Sequence, residues 1–276
     1  MKKASRKPVA DVQNLPDFRK LEIDKVGVKD ILYPIRVLER SGGMQHTVAR
    51  VNMFVNLPHR FKGTHMSRFV ELLNESCSDM STTSIPGLLQ DMRRRLCAQQ
   101  AYLEVSFPYF LVKRAPVSGA EGRMSYQCTI RGYSNHEVML EIEVQVPITA
   151  LCPCSKAISR RGAHNQRGLV TVRYRQNRFV WIEEIIEMVE ASASCDIFSV
   201  LKREDEKYVT ERAYAQPRFV EDVARSVAVR LMRHPGITWF SVEVENFESI
   251  HAHNAYAYIE RDKNRPAVSK HTAKKK

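Results

Sequence analysis

Val138, Leu140, Ile142, Val144, Val146 and Ile148 alternate with Met139, Glu141, Glu143, Gln145 and Pro147. A period of two that is held this long commits the segment to a β-strand with one buried face. It anchors an order of elements that occurs twice in the chain. Residues 29–39 and 46–57 read as paired strands across the Ser41-Gly42-Gly43 turn, and helical stretches at 66–76 and 85–100 follow. Strands near 101–112 and 123–132 close the first half, and Gly132-Tyr133-Ser134-Asn135 breaks the chain. The second half has strands at 136–149 and 165–176 and a helix at about 181–193 carrying Ile182, Ile185, Ile186 and Val189 at helical spacing. A helix at 218–233 with Val220, Val223, Ala224, Val227 and Leu231, then strands at 237–246 and 252–260, complete it.

The fold class is therefore α+β, with two tandem ββααββ modules per chain. The divisions are a basic N-terminal tail and lead-in (1–20), modules at 21–134 and 135–262, and a basic C-terminal tail (263–276). Antiparallel sheets of this kind have open edges, which closure into barrels by oligomerisation removes.

The stretch LCPCSKAISRRGAHNQRG, directly after the alternating strand, holds Cys152, Cys154 and His164. Pro147 and Pro153 cannot donate to a ladder, so the strand is expected to end near Thr149 and the thiols to sit on a loop, with His164 entering the next strand. Loops held by rigid strands are where binding and catalytic groups collect. A disulfide between residues two apart would be strained and would close almost no loop. Ordinary buried thiols suit Cys77, Cys97, Cys128 and Cys195 better than this polar loop. The spacing departs from the paired cysteines of structural zinc sites. A thiolate, an imidazole and a carboxylate with one position open to water form a set of the catalytic type.

At 276 residues and 43% hydrophobic, the chain can bury one large core or two ordinary ones. Six cysteines without paired spacing, and no apolar leader after the basic start, point to a reduced, cytoplasmic protein. No apolar run approaches the roughly 18 residues that span a bilayer, so no membrane partner is expected. The net charge of +12 suggests nucleic acid until it is located. Residues 1–7 contribute +4 and residues 261–276 contribute +6, leaving +2 on the body. Such tails are solvated and bind polyanions weakly, and no specific nucleic acid is expected.

Other candidates stand further along. Glu204, Asp205 and Glu206 lie in KREDEK between the two C-terminal helices, where a charge run usually marks solvated surface. Glu221, in QPRFVEDVAR, falls in the first turn of the last helix, where the helix dipole alone favours a carboxylate. His251 and His253 flank Ala252 at the start of the last strand and would share one face.

CPCSK with GAHNQR, KREDEKYVTERAYAQPRFVED and IHAHNAYAY together resemble the type IB GTP cyclohydrolases. YPIRVLER and KGTHMSRF in the first half extend the resemblance over roughly residues 10–262. It implies a tunnelling fold (T-fold), a homotetramer, and hydrolytic opening of the guanine imidazole ring of GTP to 7,8-dihydroneopterin triphosphate and formate. It further implies one divalent metal ion per site, Mn²⁺, Zn²⁺ or Fe²⁺, bound through Cys152, His164 and Glu206. Glu221 matches the glutamate that anchors the purine edge. Cys154, His251 and His253 match active-site positions.

The implied chemistry suits these residue types. Water must attack C8 while a proton reaches N7, and a divalent ion with an open position brings bound water toward ionisation at neutral pH. Cys154 or a nearby histidine is then the general acid. The triphosphate needs cations, for which Lys156, Arg160, Arg161 and Arg167 lie near in sequence. Lys62, His65 and Arg68 are expected from a neighbouring subunit. Two rival readings are a T-fold nitrile reductase, with a cysteine nucleophile and NADPH, and a basic-tailed nucleic-acid-binding protein.

Overall fold

The computed structural model describes Gln13, residues 15–76 and residues 81–265. The N-terminal tail to residue 12, the C-terminal tail from residue 266 and the Cys77 thiol lie outside the described residues.

Eight strands and six helices make an α+β structure among the described residues. Strands β1 (Ile23–Leu38) and β2 (Met44–Leu57) lead to helices α1 (Met66–Ser76) and α2 (Ile85–Arg95), then β3 (Ala101–Arg114) and β4 (Glu121–Ser134). The chain continues with β5 (Val138–Leu151), α3 (Pro153–Ile158), β6 (Asn165–Gln176), α4 (Ile182–Glu190), α5 (Arg203–Ala215), α6 (Val220–Arg233), β7 (Ile237–Asn246) and β8 (Ala255–Asp262). The strands follow one another in sheet order from β1 to β8. The pairs β1–β2, β2–β3, β5–β6, β6–β7 and β7–β8 are antiparallel.

Two compact units partition these elements: residues up to Phe107 with Ile130–Leu140, and Pro108–Thr129 with residues from Glu141 onward. In the first, Val51, Met53, Val55, Leu103 and Val105 are buried on the strands, as are Phe69, Leu72, Leu73, Leu88 and Leu89 on α1 and α2. Helix α2 ends at Arg95 and not near residue 100, because Cys97 takes φ +52° and the next N–H groups leave the helix. Gln99 and Gln100 both donate to Asn56 Oδ1, at 2.9 and 2.7 Å. Cys97 is consequently exposed, contrary to the expectation of a buried thiol; Cys128 and Cys195 are buried as expected.

In the second unit, Ile142, Val144, Val146, Val170, Val172, Phe240, Val242 and Val244 line one sheet face and are all buried. Helix α6 packs on β7 and β8 and also meets α4. Its Val220, Val223, Ala224, Val227 and Leu231 are buried, as the spacing predicts. Each fully buried aliphatic side chain of this size contributes about 1.5–3 kcal/mol. This apolar face is what fixes α6.

Three expectations change here. Strand β5 continues past Pro147, which pairs with Leu169, to Leu151. One missing donor costs about 1 kcal/mol, less than the aliphatic burial on either side returns. The thiols do not sit on an open loop: Cys152 caps α3 and Cys154 lies in its first turn. The KREDEK charge run is the first half of a helix, α5. Acidic residues in a first turn suit the helix dipole, and α5 buries so little apolar surface that periodicity gives it no signal.

Candidate active site

Strand register decides which parts of the second unit meet. Leu151 pairs with Asn165, Gly168 with Asn246, and Asn246 with Ala255. The chain leaving β5, the chain entering β6 and the β7–β8 connection therefore share one end of the sheet. Cys152, His164, Glu248, His251 and His253 are all on these segments. Two further links bring in other elements. Thr149 bridges to Cys195, and the Arg218 N–H donates to Leu151 O at 3.1 Å, setting the start of α6 and its Glu221 beside the same end.

Cys152 and His164 are locked together through their backbones. The Cys152 N–H donates to His164 O at 3.1 Å, and the His164 N–H donates to Ser155 Oγ at 3.2 Å. Ser155 N–H in turn donates to Cys152 Sγ at 3.4 Å, so the sulfur caps α3. Pro153 suits the first position of that helix because its missing N–H would have had no partner there.

His164 Nδ1 lies 3.0 Å from Gln166 Oε1. With its proton on Nδ1 the ring donates to Gln166 and leaves the Nε2 lone pair free, the arrangement ligating histidines adopt. Gln166 Nε2 donates to Glu248 Oε1 at 3.2 Å, and Glu248 Oε2 is 3.8 Å from His164 Nδ1. That Oε2 atom is buried and has no hydrogen-bond partner. A buried acceptor left without a partner calls for a cation or a proton donor. The sequence reading missed Glu248; the FESIHAH stretch gave no spacing signal, since only the β6–β7 register brings it to His164.

Glu206 stands in the first turn of α5, its side chain 58% exposed and 3.8 Å from Arg203. Val209 and Ala213 follow it at helical spacing on one ridge, and Ala213 packs with Leu151 and Cys195. Among the described residues, no three His, Cys, Asp or Glu side chains are grouped closely enough to hold a metal ion. Cys152 and His164 are joined through their backbones, and Glu206 begins the ridge whose Ala213 packs against Leu151, the residue before Cys152. Sulfur, imidazole nitrogen and carboxylate oxygen suit a divalent transition metal such as zinc, iron or manganese.

Glu221 occupies the first turn of α6, as expected. His251 and His253 precede β8 and are not part of it; both are exposed, with rings stacked at 5.2 Å between centroids and 18° between planes. They come together through a bend and not through strand alternation. Lys156 is engaged with α5, its Nζ donating to Tyr214 O at 2.5 Å and lying 4.3 Å from the Tyr214 ring centroid. Arg160 and Arg161 are exposed on the α3–β6 connection. Arg167 lines a cavity of about 390 Å³ with Thr149, Asn165, Gln166, Asp196 and Phe198, walled on one side by Val209, Thr210 and Ala213 of α5. Lys62, His65 and Arg68 belong to the first compact unit. The Lys62 N–H donates to Leu15 O, and Arg68 reaches Arg95 O at 3.5 Å.

Residues 9–257 match the family described as GCHY-1, Type I GTP cyclohydrolase folE2. The chain belongs to this family. Among its relatives, the GTP cyclohydrolase FolE2 of Geobacter metallireducens is 56% identical over 253 residues, covering 92% of this chain and 97% of the relative. That of Magnetococcus marinus is 55% identical over 254 residues, with 92% and 96% covered. Among solved structures, a hyperthermostable urate oxidase mutant from Bacillus sp. TB-90 superposes with a TM-score of 0.52 at 8% identity, covering 88% of this chain and 99% of the other. At that identity the likeness concerns the fold alone, and it agrees with a T-fold-like arrangement. No described helix is long and apolar enough to cross a membrane.

Proposed function

We propose that this FolE2-family chain is a GTP cyclohydrolase I. It converts GTP and one water to 7,8-dihydroneopterin triphosphate and formate, the first step of folate biosynthesis. Family membership over nearly the whole chain carries the reading, and the segments bearing Cys152, His164 and the His251–His253 pair, which share one end of one sheet, support it.

Cys152, His164 and Glu206 would hold a divalent ion, Mn²⁺, Zn²⁺ or Fe²⁺. Bound there, it would supply Lewis acidity and favour ionised water at neutral pH. The protein's own groups do the rest. Gln166 fixes the His164 tautomer. Glu221 accepts from guanine N1–H and the 2-amino group, which orients C8 and rejects adenine. Cys154, exposed in the first turn of α3, donates a proton at N7, with His251 and His253 the alternative donors. Arg161 and Arg167 face the triphosphate, with Lys156 released from Tyr214 O to join them. Lys62, His65 and Arg68 come from a neighbouring subunit.

That last assignment goes with a homotetramer of two-module chains (21–134 and 135–262) whose sheets close into T-fold barrels. The exposed apolar side chains of the terminal strands β1 and β8, Leu32 at 65% and Tyr256 at 57%, support closure by a second copy. A thiolate ligand supports a reducing, cytoplasmic setting.

The test is direct. Chelator-treated protein is supplied with GTP and Mn²⁺ or Zn²⁺, and formate and the fluorescent oxidised pterin are measured. Product that appears only with metal is expected. No product with either metal overturns the reading, and turnover that survives chelation points instead to a metal-free cysteine mechanism.

A further inference from the structure

Helix α5 poses a physical question. It carries Glu206, yet Ala213 is the one apolar residue in it that is buried. Apolar packing of the kind that holds α6 is almost absent, so something else must fix the helix.

The holding group is Asp205, which is wholly buried although it sits in a run of charge. Its Oδ1 accepts from Val117 N–H at 2.8 Å and Ser118 N–H at 2.9 Å. Its Oδ2 accepts from Ser118 Oγ at 2.6 Å and from Lys202 N–H at 2.8 Å. The last bond caps α5. The other three tie it to the β3–β4 turn, which closes through Ala115 N–H to Ala120 O at 2.9 Å.

A second close approach lies on the same hairpin. At Gly122 in β4, a Cβ would sit 2.3 Å from Ser199 Oγ and 2.8 Å from Val200 Cγ2. The segment leading into α5 thus lies close against the strand, where a larger residue would make Ser199 and Val200 shift. The hairpin holds both the approach to α5 and its first turn.

We propose that Asp205 is a positioning residue for Glu206: by clamping the first turn of α5 to the Val117–Ser118 turn, it sets where the neighbouring carboxylate stands relative to Cys152 and His164. This rests on the reading of Glu206 as a metal ligand. Neighbouring residues on a helix share a backbone but point about 100° apart. Asp205 can therefore be buried in the hairpin while Glu206 stays on the open ridge with Val209 and Ala213. Groups that orient ligands typically cost 10–100-fold in metal affinity when removed.

The experiment measures Co²⁺ and Zn²⁺ affinity by competition with a chromophoric chelator, and records the thiolate-to-cobalt charge-transfer band. Full-length Asp205→Asn, Ser118→Ala, Glu206→Gln and Leu231→Ala are compared. Glu206→Gln is expected to lose at least about 100-fold, Asp205→Asn about 10–100-fold with the cysteine band retained, and Ser118→Ala a smaller amount in the same direction. Leu231→Ala, which weakens the core under α6 and removes none of the clamp's bonds, is expected to lower Tm and leave affinity within about twofold. That control separates positioning from loss of stability. If Glu206→Gln weakens binding while Asp205→Asn and Ser118→Ala bind metal as the unsubstituted protein does, the positioning role is overturned. Should Asp205→Asn fail to fold, Ser118→Ala decides alone, since it keeps three of the four bonds. Unchanged affinity in Glu206→Gln removes the ligand reading and this inference with it.

Discussion

Helices α5 and α6 begin alike and are held by opposite means. Each has an aspartate three residues past its cap that accepts from the cap N–H: Asp205 from Lys202 at 2.8 Å and Asp222 from Phe219 at 3.1 Å. Each also carries a candidate functional glutamate beside that aspartate, Glu206 after the first and Glu221 before the second. In α6 the aspartate side chain is 38% exposed and six apolar residues are buried, so packing sets the helix. In α5 the aspartate is buried and apolar packing is slight, so hydrogen bonds set it. Glu221, the proposed purine anchor, is thereby tied to apolar packing, and Glu206, the proposed metal carboxylate, to a local polar clamp.

The difference can be broken from either side. The largest effect is expected at the shared end of the sheet: Cys152→Ala should lose metal and at least about 100-fold in turnover, because it removes a proposed ligand and the α3 cap together. Formate release and metal content of the purified variant check this. Leu231→Ala in α6 should cost about 2–5 kcal/mol of stability by chemical denaturation, with metal content unchanged. Glu221→Ala should raise the Kd for GTP about 10–100-fold with metal retained, the scale expected when a paired hydrogen bond to a ligand is lost. Loss of metal in that variant would mean the two glutamates have exchanged roles.

The smallest effect concerns acid. Asp205 ionises more readily in the native state than in the unfolded chain, so below about pH 4 the native state binds fewer protons. The stability it contributes is present above that pH and drains away as the pH falls. Denaturation followed below about pH 4 should show a flatter acid limb in Asp205→Asn than in the unsubstituted protein.

The same contrast explains what could be read in advance. Strands β6 and β7 and helix α1 fall at the expected residues because their alternation and spacing report burial directly. Helix α6 was legible for that reason, and so was the place of Glu221 in its first turn. Helix α5 was not, because its stabilising partners, Val117 and Ser118, are 87 or more residues away. Cys152 and His164 stood out as soft donors at close spacing, and the family resemblance supplied Glu206. Glu248 could not be found that way, because its link to Gln166 spans 82 residues and depends on the β6–β7 register.

One consequence follows for anyone re-engineering this chain. Hairpin tips are usually the places where a tag, a circular permutation or an inserted domain is tolerated. The β1–β2 tip suits that use: Glu39, Ser41, Gly43 and Gln45 bond to one another there. The β3–β4 tip looks just as accessible, with Pro116, Val117, Ser118 and Gly119 all exposed. A graft there would sever the Asp205 clamp, and the damage would surface at the other end of α5's first turn.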